Sequence, residues 1–284
     1  MHEEVSVTPR VPRRGLAATF AALILVLTAF VHSVGAAPQP TPRIIGGEPA
    51  DFGEYPFMVA LLFEPTAGSD FDKQYCGGSL IASRWVLTAA HCVDFLNSPD
   101  EVVVAVNRTN LDSTQGQRVA VRDFFIHPDW DPDLLSPDVA LVQLAKPVNG
   151  VAPIQIAGPS DDGFEAAGTL LTVIGWGNTS TTGQASFPDA LREVVVPVVA
   201  DARCDELNHG LVTPETQLCA GEKGIDSCGG DSGGPLFATT SGGTRIQVGI
   251  VSWGIGCAKN RYPGVYTEVN SPTVRDFIAD VAGV

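Results

Sequence analysis

The chain reads as an all-β protein behind an N-terminal leader, and two observations point that way. Short β-branched runs at residues 102–106, 119–121, 139–144, 170–174, 194–199 and 246–251 are separated by clusters of Gly, Pro, Asn and Asp. That is the pattern of strands broken by turns. No segment recurs at a fixed period, which excludes solenoids and propellers. Residues 44–284 are enough chain to bury a large core.

Taken in order, the first element is the leader. Arg10, Arg13 and Arg14 precede an apolar run over residues 16–31, and Val34-Gly35-Ala36-Ala37 follows. A charged region, a hydrophobic region and a small-residue end are the parts of a secretory signal peptide, here residues 1–37 with cleavage after Ala36 or Ala37. Arg13-Arg14-Gly15-Leu16 also resembles a twin-arginine export signal. A retained anchor is the alternative, but His32 and Ser33 close the run early for a bilayer span. Residues 38–42 are rich in Pro and end at Arg43, an extended, accessible linker with a basic residue at its end. The strand-rich part then runs from 44 to 284. A stretch rich in Gly, Pro, Ser and Asp near 149–165 divides it loosely into 44–155 and 156–284. At the end, Ser271-Pro272 suits a helix cap and first turn. Val274, Phe277, Ile278 and Val281 then fall on one helical face.

The formal charge is −15. Loss of residues 1–43, which hold more Arg than Glu, makes the remainder more acidic still. Such a surface argues against nucleic acid or an anionic membrane as partner. It keeps the protein soluble, or steers basic substrates inward. The six cysteines, in an exported chain, imply disulfides. No C-x-x-C or H-E-x-x-H spacing occurs, so no zinc site is expected. Asn107-Arg108-Thr109 and Asn178-Thr179-Ser180 are N-glycosylation sequons.

The chemistry concentrates in Asp226-Ser227-Cys228-Gly229-Gly230-Asp231-Ser232-Gly233-Gly234-Pro235. Glycines let backbone N–H groups approach a reacting oxygen, because no Cβ stands in the way. Ser232 in such a turn is a candidate nucleophile, but a serine hydroxyl needs a base, and the base an orienting carboxylate. Of the five histidines, His2 and His32 lie in the leader, His127 precedes Pro128, and His209 sits in a polar stretch before Gly210. His91 follows the apolar run Trp85-Val86-Leu87 within Thr88-Ala89-Ala90-His91-Cys92. Gly230-Asp231-Ser232-Gly233-Gly234 also fits the G-x-S-x-G elbow of α/β-hydrolases, whose histidine comes after the serine. No histidine follows Ser232. The order His91, Asp138, Ser232 is that of chymotrypsin-class enzymes.

With these segments in this order, the chain resembles the trypsin-like serine endopeptidases of the chymotrypsin class from Ile44 to about Val281. The resemblance is carried further by Arg43-Ile44-Ile45-Gly46-Gly47, Cys76-Gly77-Gly78-Ser79-Leu80, Asp138-Val139-Ala140-Leu141, Gly175-Trp176-Gly177, Ser252-Trp253-Gly254 and Pro263-Gly264-Val265-Tyr266. It implies two packed antiparallel barrels with a C-terminal helix. It makes His91 the base, Asp138 its orienter, Ser232 the nucleophile, and the N–H groups of Gly230 and Ser232 the oxyanion donors. Asp226 becomes the floor of a pocket for Arg or Lys, with Ser227, Ser252, Trp253, Gly254, Gly264 and Leu135 around the substrate. A cut at Arg43–Ile44 would free an α-amine to pair with Asp231 and activate a zymogen. The implied disulfides are Cys76–Cys92, Cys204–Cys219 and Cys228–Cys257, a set similar to that of bacterial secreted trypsins.

The chain departs from the family at Asn208, where a pocket tyrosine is usual, and at Gly229, where the rim would be more open. Between Asn107 and Val119 only Asp112 is a carboxylate, too few hard ligands for the calcium that some members bind. No metal or cofactor is expected. The expected partners are protein or peptide substrates and proteinaceous inhibitors, the protein itself being a monomer. The alternative function is a catalytically silent, protease-like binding protein, which would ordinarily have lost a triad member or the activation site.

Overall fold

The computed structural model describes residues 45–180, 184–258 and 262–284. The signal segment, the linker, Arg43 and Ile44 lie outside them. A short strand β1 (Glu48–Pro49) leads into β2 (Met58–Phe63), helix α1 (Asp70–Lys73), β3 (Gln74–Ala82), β4 (Trp85–Thr88), β5 (Val102–Val106), β6 (Gln117–Ile126) and β7 (Ala140–Leu144). Strands β2-β3-β4-β7-β6-β5 close into an antiparallel barrel. The chain continues through β8 (Gln155–Ile156), β9 (Leu170–Gly175), β10 (Arg192–Val199), helix α2 (Asp201–Leu207), β11 (Gln217–Ala220), β12 (Pro235–Thr239), β13 (Arg245–Trp253), β14 (Gly264–Glu268) and helix α3 (Pro272–Ala282). Here β9-β10-β11-β14-β13-β12 returns to β9 through its pairing with β10, giving a second six-strand antiparallel ring.

The β-branched runs sit where the sequence puts them, within β5, β6, β7, β9, β10 and β13. In β6 the period is plain: Val119 and Val121 are buried while Arg118, Ala120 and Arg122 face out or lie near the surface. That is a strand with one wet face. Strand β2 is buried almost throughout, because its outer face is covered as well.

Each barrel borrows a segment from the other half of the chain. β1 pairs with β10 of the second barrel, and β8 runs parallel to β13. Helix α3 returns to the first barrel, where Val274 and Ile278 join the core cluster of Leu141 and Leu144. The Phe277 ring lies 5.1 Å from that of His127. The Ser271 hydroxyl does not cap the helix as expected: it donates to the Glu215 carbonyl at 2.7 Å. Between the barrels, Phe57 meets Phe237 edge-on at 5.7 Å and Tyr55 lies 5.6 Å from the same ring. Such pairs contribute roughly 0.5–1.5 kcal/mol each beyond the area they bury.

The disulfides formed are Cys76–Cys92, Cys204–Cys219 and Cys228–Cys257. In the loop after β5, the buried Arg108 guanidinium donates to the carbonyls of Gln115 at 2.9 Å and Leu111 at 3.1 Å, and pairs with Asp70.

Candidate active site

The site forms where the barrels meet. His91 lies on the short 3-10 turn after β4 (Ala90–Cys92), pinned by the Cys76–Cys92 bridge. Asp138 is fully buried just before β7. Its Oδ2 lies 2.7 Å from His91 Nδ1, and its Oδ1 accepts the His91 backbone N–H at 3.0 Å. Ser252, from the second barrel, donates its hydroxyl to the same Oδ2 at 2.5 Å. Thr267 donates to the Asp138 carbonyl at 2.8 Å. A buried carboxylate is costly unless bonded on several sides, and this one is.

Burial, the largest influence, pushes the His91 imidazole down. The hydrogen bond and charge of Asp138, with the charge of Asp94, push it up and prevail, so it stands above the ordinary imidazole value.

Ser232 reaches the same place from the second barrel. Its carbonyl accepts the Gly77 N–H at 2.7 Å, and the next N–H, of Gly233, donates to Val251 at 2.8 Å. Gly233 is pressed against the Thr88 side chain and the Ala89 backbone, on the approach to His91; a Cβ there would lie 2.2 Å from Thr88 Oγ1. Among the described residues no hydrogen bond joins Ser232 Oγ to the imidazole in this structure, and His91 Nε2 lies 3.7 Å from Cys92 Sγ. Catalytic hydrogen bonds of empty sites are commonly loose and tighten on substrate.

Beside Ser232 opens a cavity of about 270 Å³. Asp226, Ser227, Gly229, Ser232, Ser252, Trp253, Gly254 and Gly264 line it, with the Cys228–Cys257 bridge. Asp226 is 2 % exposed. Its Oδ2 accepts the Ala258 N–H at 2.9 Å, while its buried Oδ1 makes no hydrogen bond of good geometry among the described residues. Burial, against the pull of backbone N–H groups from Ala258, Ser227 and Gly264, raises its carboxyl to about 7. Gly264 cannot be larger: a Cβ there would lie 2.7 Å from Asp226 Oδ1. Gly229 has open space around it. Ser227 is tied to the Tyr266 hydroxyl at 3.1 Å, a contact for which the sequence carries no signal. Leu135 is not part of the cavity lining; its carbonyl accepts Gln217 Nε2 at 2.8 Å. Asn208 is buried behind the wall, donating to the Cys204 carbonyl at 3.1 Å and Cys219 Sγ at 3.4 Å.

Asp231 is fully buried and accepts N–H groups from Gly177 at 2.7 Å and Cys228 at 2.9 Å. Burial outweighs these bonds and lifts its carboxyl to about 6. The Gly175-Trp176-Gly177 pattern follows from this contact, since a Cβ on either glycine would strike the carboxylate. Ile45, the first described residue, accepts the Asp226 N–H at 3.2 Å. His127 is buried against Thr273 and His209 faces Tyr262, so neither serves this site. Among the described residues, the ligand-type grouping Cys76, His91 and Cys92 has both sulfurs bonded to each other.

Comparison with known proteins agrees with this architecture. The trypsin family model matches residues 44–278. "Trypsin-1" of Astacus astacus is 39% identical, the match covering 80% of this chain and 95% of its own. "Trypsin" of Saccharopolyspora erythraea is 38% identical over 80% of this chain and 94% of its own. "Trypsin-like protease" of Streptomyces glaucescens is 37% identical over 95% and 94% respectively. The chain therefore belongs to the trypsin family and is a serine endopeptidase of that type.

Proposed function

We propose that this protein is secreted as a zymogen and, once processed, cuts peptide bonds after Arg and Lys. The observation that carries the specificity is the buried carboxylate of Asp226 in the cavity lining, whose Oδ1 has no hydrogen-bond partner among the described residues. A guanidinium or ammonium entering the cavity gives that oxygen a charge-assisted hydrogen bond. A side chain without a cation leaves it buried and unpaired, which penalises the wrong substrate.

The chemistry follows from the tautomer that Asp138 selects. With Nδ1–H donated to Asp138, the lone pair of His91 sits on Nε2. Ser232 Oγ attacks the scissile carbonyl carbon while its proton passes to Nε2. The imidazolium, stabilised by Asp138, then gives that proton to the departing amine. Water hydrolyses the acyl-enzyme with the same groups in reverse order. The N–H groups of Gly230 and Ser232 receive the oxyanion; losing one such donor costs roughly 3–4 kcal/mol in the transition state.

Activation is read from Asp231 and Ile45. A cut after Arg43 turns Ile44 into an α-amine. Paired with buried Asp231, that amine holds the 226–232 loop, and the Ile45–Asp226 backbone bond ties the same segment to the pocket floor. Breaking a buried pair costs on the order of 3–5 kcal/mol, enough to leave the uncut loop disordered. Arg43 itself suits the pocket, so one molecule can process another.

An organophosphonate probe, followed by mass spectrometry, tests the enzymatic reading. The expected adduct is on Ser232 of the processed protein and is absent from the precursor. A processed protein that stays unlabelled would be a binding module instead.

A further inference from the structure

The peptide carrying the oxyanion donor is held from the opposite barrel. Gln74, the first residue of β3, donates Nε2–H to the Gly230 carbonyl at 2.9 Å, and to the Cys76 carbonyl of its own strand at 3.2 Å. On the other side of Gly230, the Gly229 carbonyl accepts the Asn178 N–H at 2.8 Å. A trans peptide is planar, its C=O and N–H pointing opposite ways. Holding the Gly229 carbonyl toward Asn178 therefore aims the Gly230 N–H away from Asn178. Gly230 has φ +97°, a conformation that glycine alone enters freely and can as freely leave. The plane before Gly230 is fixed by the Asn178 bond; the plane after it is held at its carbonyl by Gln74 and at its N–H by the Cys228 carbonyl, which accepts from Asp231 at 2.9 Å. The bond from Asn178 is backbone and indifferent to residue type. So is the bond from Asp231 to Cys228; the side-chain contribution comes from Gln74, 156 positions away in sequence.

We infer that Gln74 is a positioning residue whose amide fixes the Gly230 peptides, and so the aim of the Gly230 N–H at the developing oxyanion. The inference rests on the proposed role of that N–H. Donors that are already aligned need no reorganisation as charge develops, and this is where such sites gain rate. Gln74 thus acts on the transition state and leaves substrate binding alone. Glutamate in its place has the same shape but no donor, and sets a carboxylate oxygen against the carbonyl oxygen.

The test compares wild type, Gln74→Glu, Gln74→Leu, Gln74→His and Ser232→Ala as processed proteins. The readouts are kcat and KM on an arginyl peptide amide, affinity for a small aryl amidine, and affinity for an arginyl peptide aldehyde. The amidine fills the cavity without using the oxyanion donors; the aldehyde adds Ser232 Oγ–H across its carbonyl and uses them. Gln74→Glu and Gln74→Leu should lower kcat on the order of 10- to 100-fold, and aldehyde affinity in parallel, with KM and amidine affinity within about twofold. Gln74→His, which keeps an N–H donor, should restore most of the rate. Unchanged kcat in Gln74→Glu overturns the inference. So does amidine affinity that falls as far as kcat, since Gln74 would then only support the fold. Wild-type turnover no greater than that of Ser232→Ala overturns the reading of the site itself, and this inference with it.

Discussion

A single carboxylate, Asp226, is asked to be both buried and charged. Its Oδ1 is buried, and burial, against the pull of nearby backbone N–H groups, raises its carboxyl to about 7. A bound cation holds it ionised, so binding a cation must expel a proton whenever the pH lies below that value. Aryl amidine affinity should therefore be flat above pH about 7 and fall roughly tenfold per pH unit below it, as titration calorimetry across pH would record. A pH-independent affinity across the roughly two pH units below that value would contradict this. Asp226→Ser should lower kcat/KM for arginyl substrates on the order of 10⁴-fold, the scale on which a site rejects an unmatched polar group. Steady-state kinetics check it, and a loss under about tenfold would mean that the floor lies elsewhere. If His91 is the base, as proposed, its imidazole, held above the ordinary value, should set the acid limb of kcat/KM: activity should fall as the pH drops through that raised value and the base is protonated.

At the scale of elements, the loop after β5 shows a buried charge used for structure. Arg108 bonds two loop carbonyls and Asp70, so a side-chain cation sits in the loop whose sequence offers Asp112 as its one carboxylate. Arg108→Leu leaves those acceptors unpaired and should cost on the order of 3–5 kcal/mol, lowering Tm by roughly 10 °C; scanning calorimetry would show it, and an unchanged Tm would contradict it. The elements themselves were unevenly legible. Runs such as 102–106 declare themselves because β-branched residues and turn formers alternate. Strand β3 hides because Gly77 and Gly78 lie inside it, and β2 because Met58 to Leu62 are buried on both faces, which removes the period of two. Ser271 takes the cap position its sequence suggests, but residue type does not reveal that its hydroxyl turns to donate to the Glu215 carbonyl and makes no bond to the first-turn N–H groups. His91, Asp138, Ser232 and Asp226 could be named from short motifs. Asn178 and Ala258 could not, because they act through backbone N–H groups that any residue carries.

Across the whole molecule, the two barrels meet at a cleft, and under the proposed activation the chain end freed by the cut after Arg43 switches that cleft on. Among the described residues Asp231 is lifted to about 6 by burial against two backbone bonds, and an α-amine beside it would hold it ionised. Full-length Arg43→Gln should accordingly show a small fraction of the processed activity in a peptide-amide assay, and undiminished activity would refute the zymogen model. In the processed protein, activity should also fall above pH ~8 as the α-amine loses its proton. The most direct check on the central claim is cleavage of a mixed peptide library by the processed protein and by Ser232→Ala, with product ends read by mass spectrometry. Essentially all new carboxyl ends should be Arg or Lys, and Ser232→Ala should make none of them. Ends dominated by Phe or Leu, or a cleavage pattern that survives in Ser232→Ala, would contradict that claim.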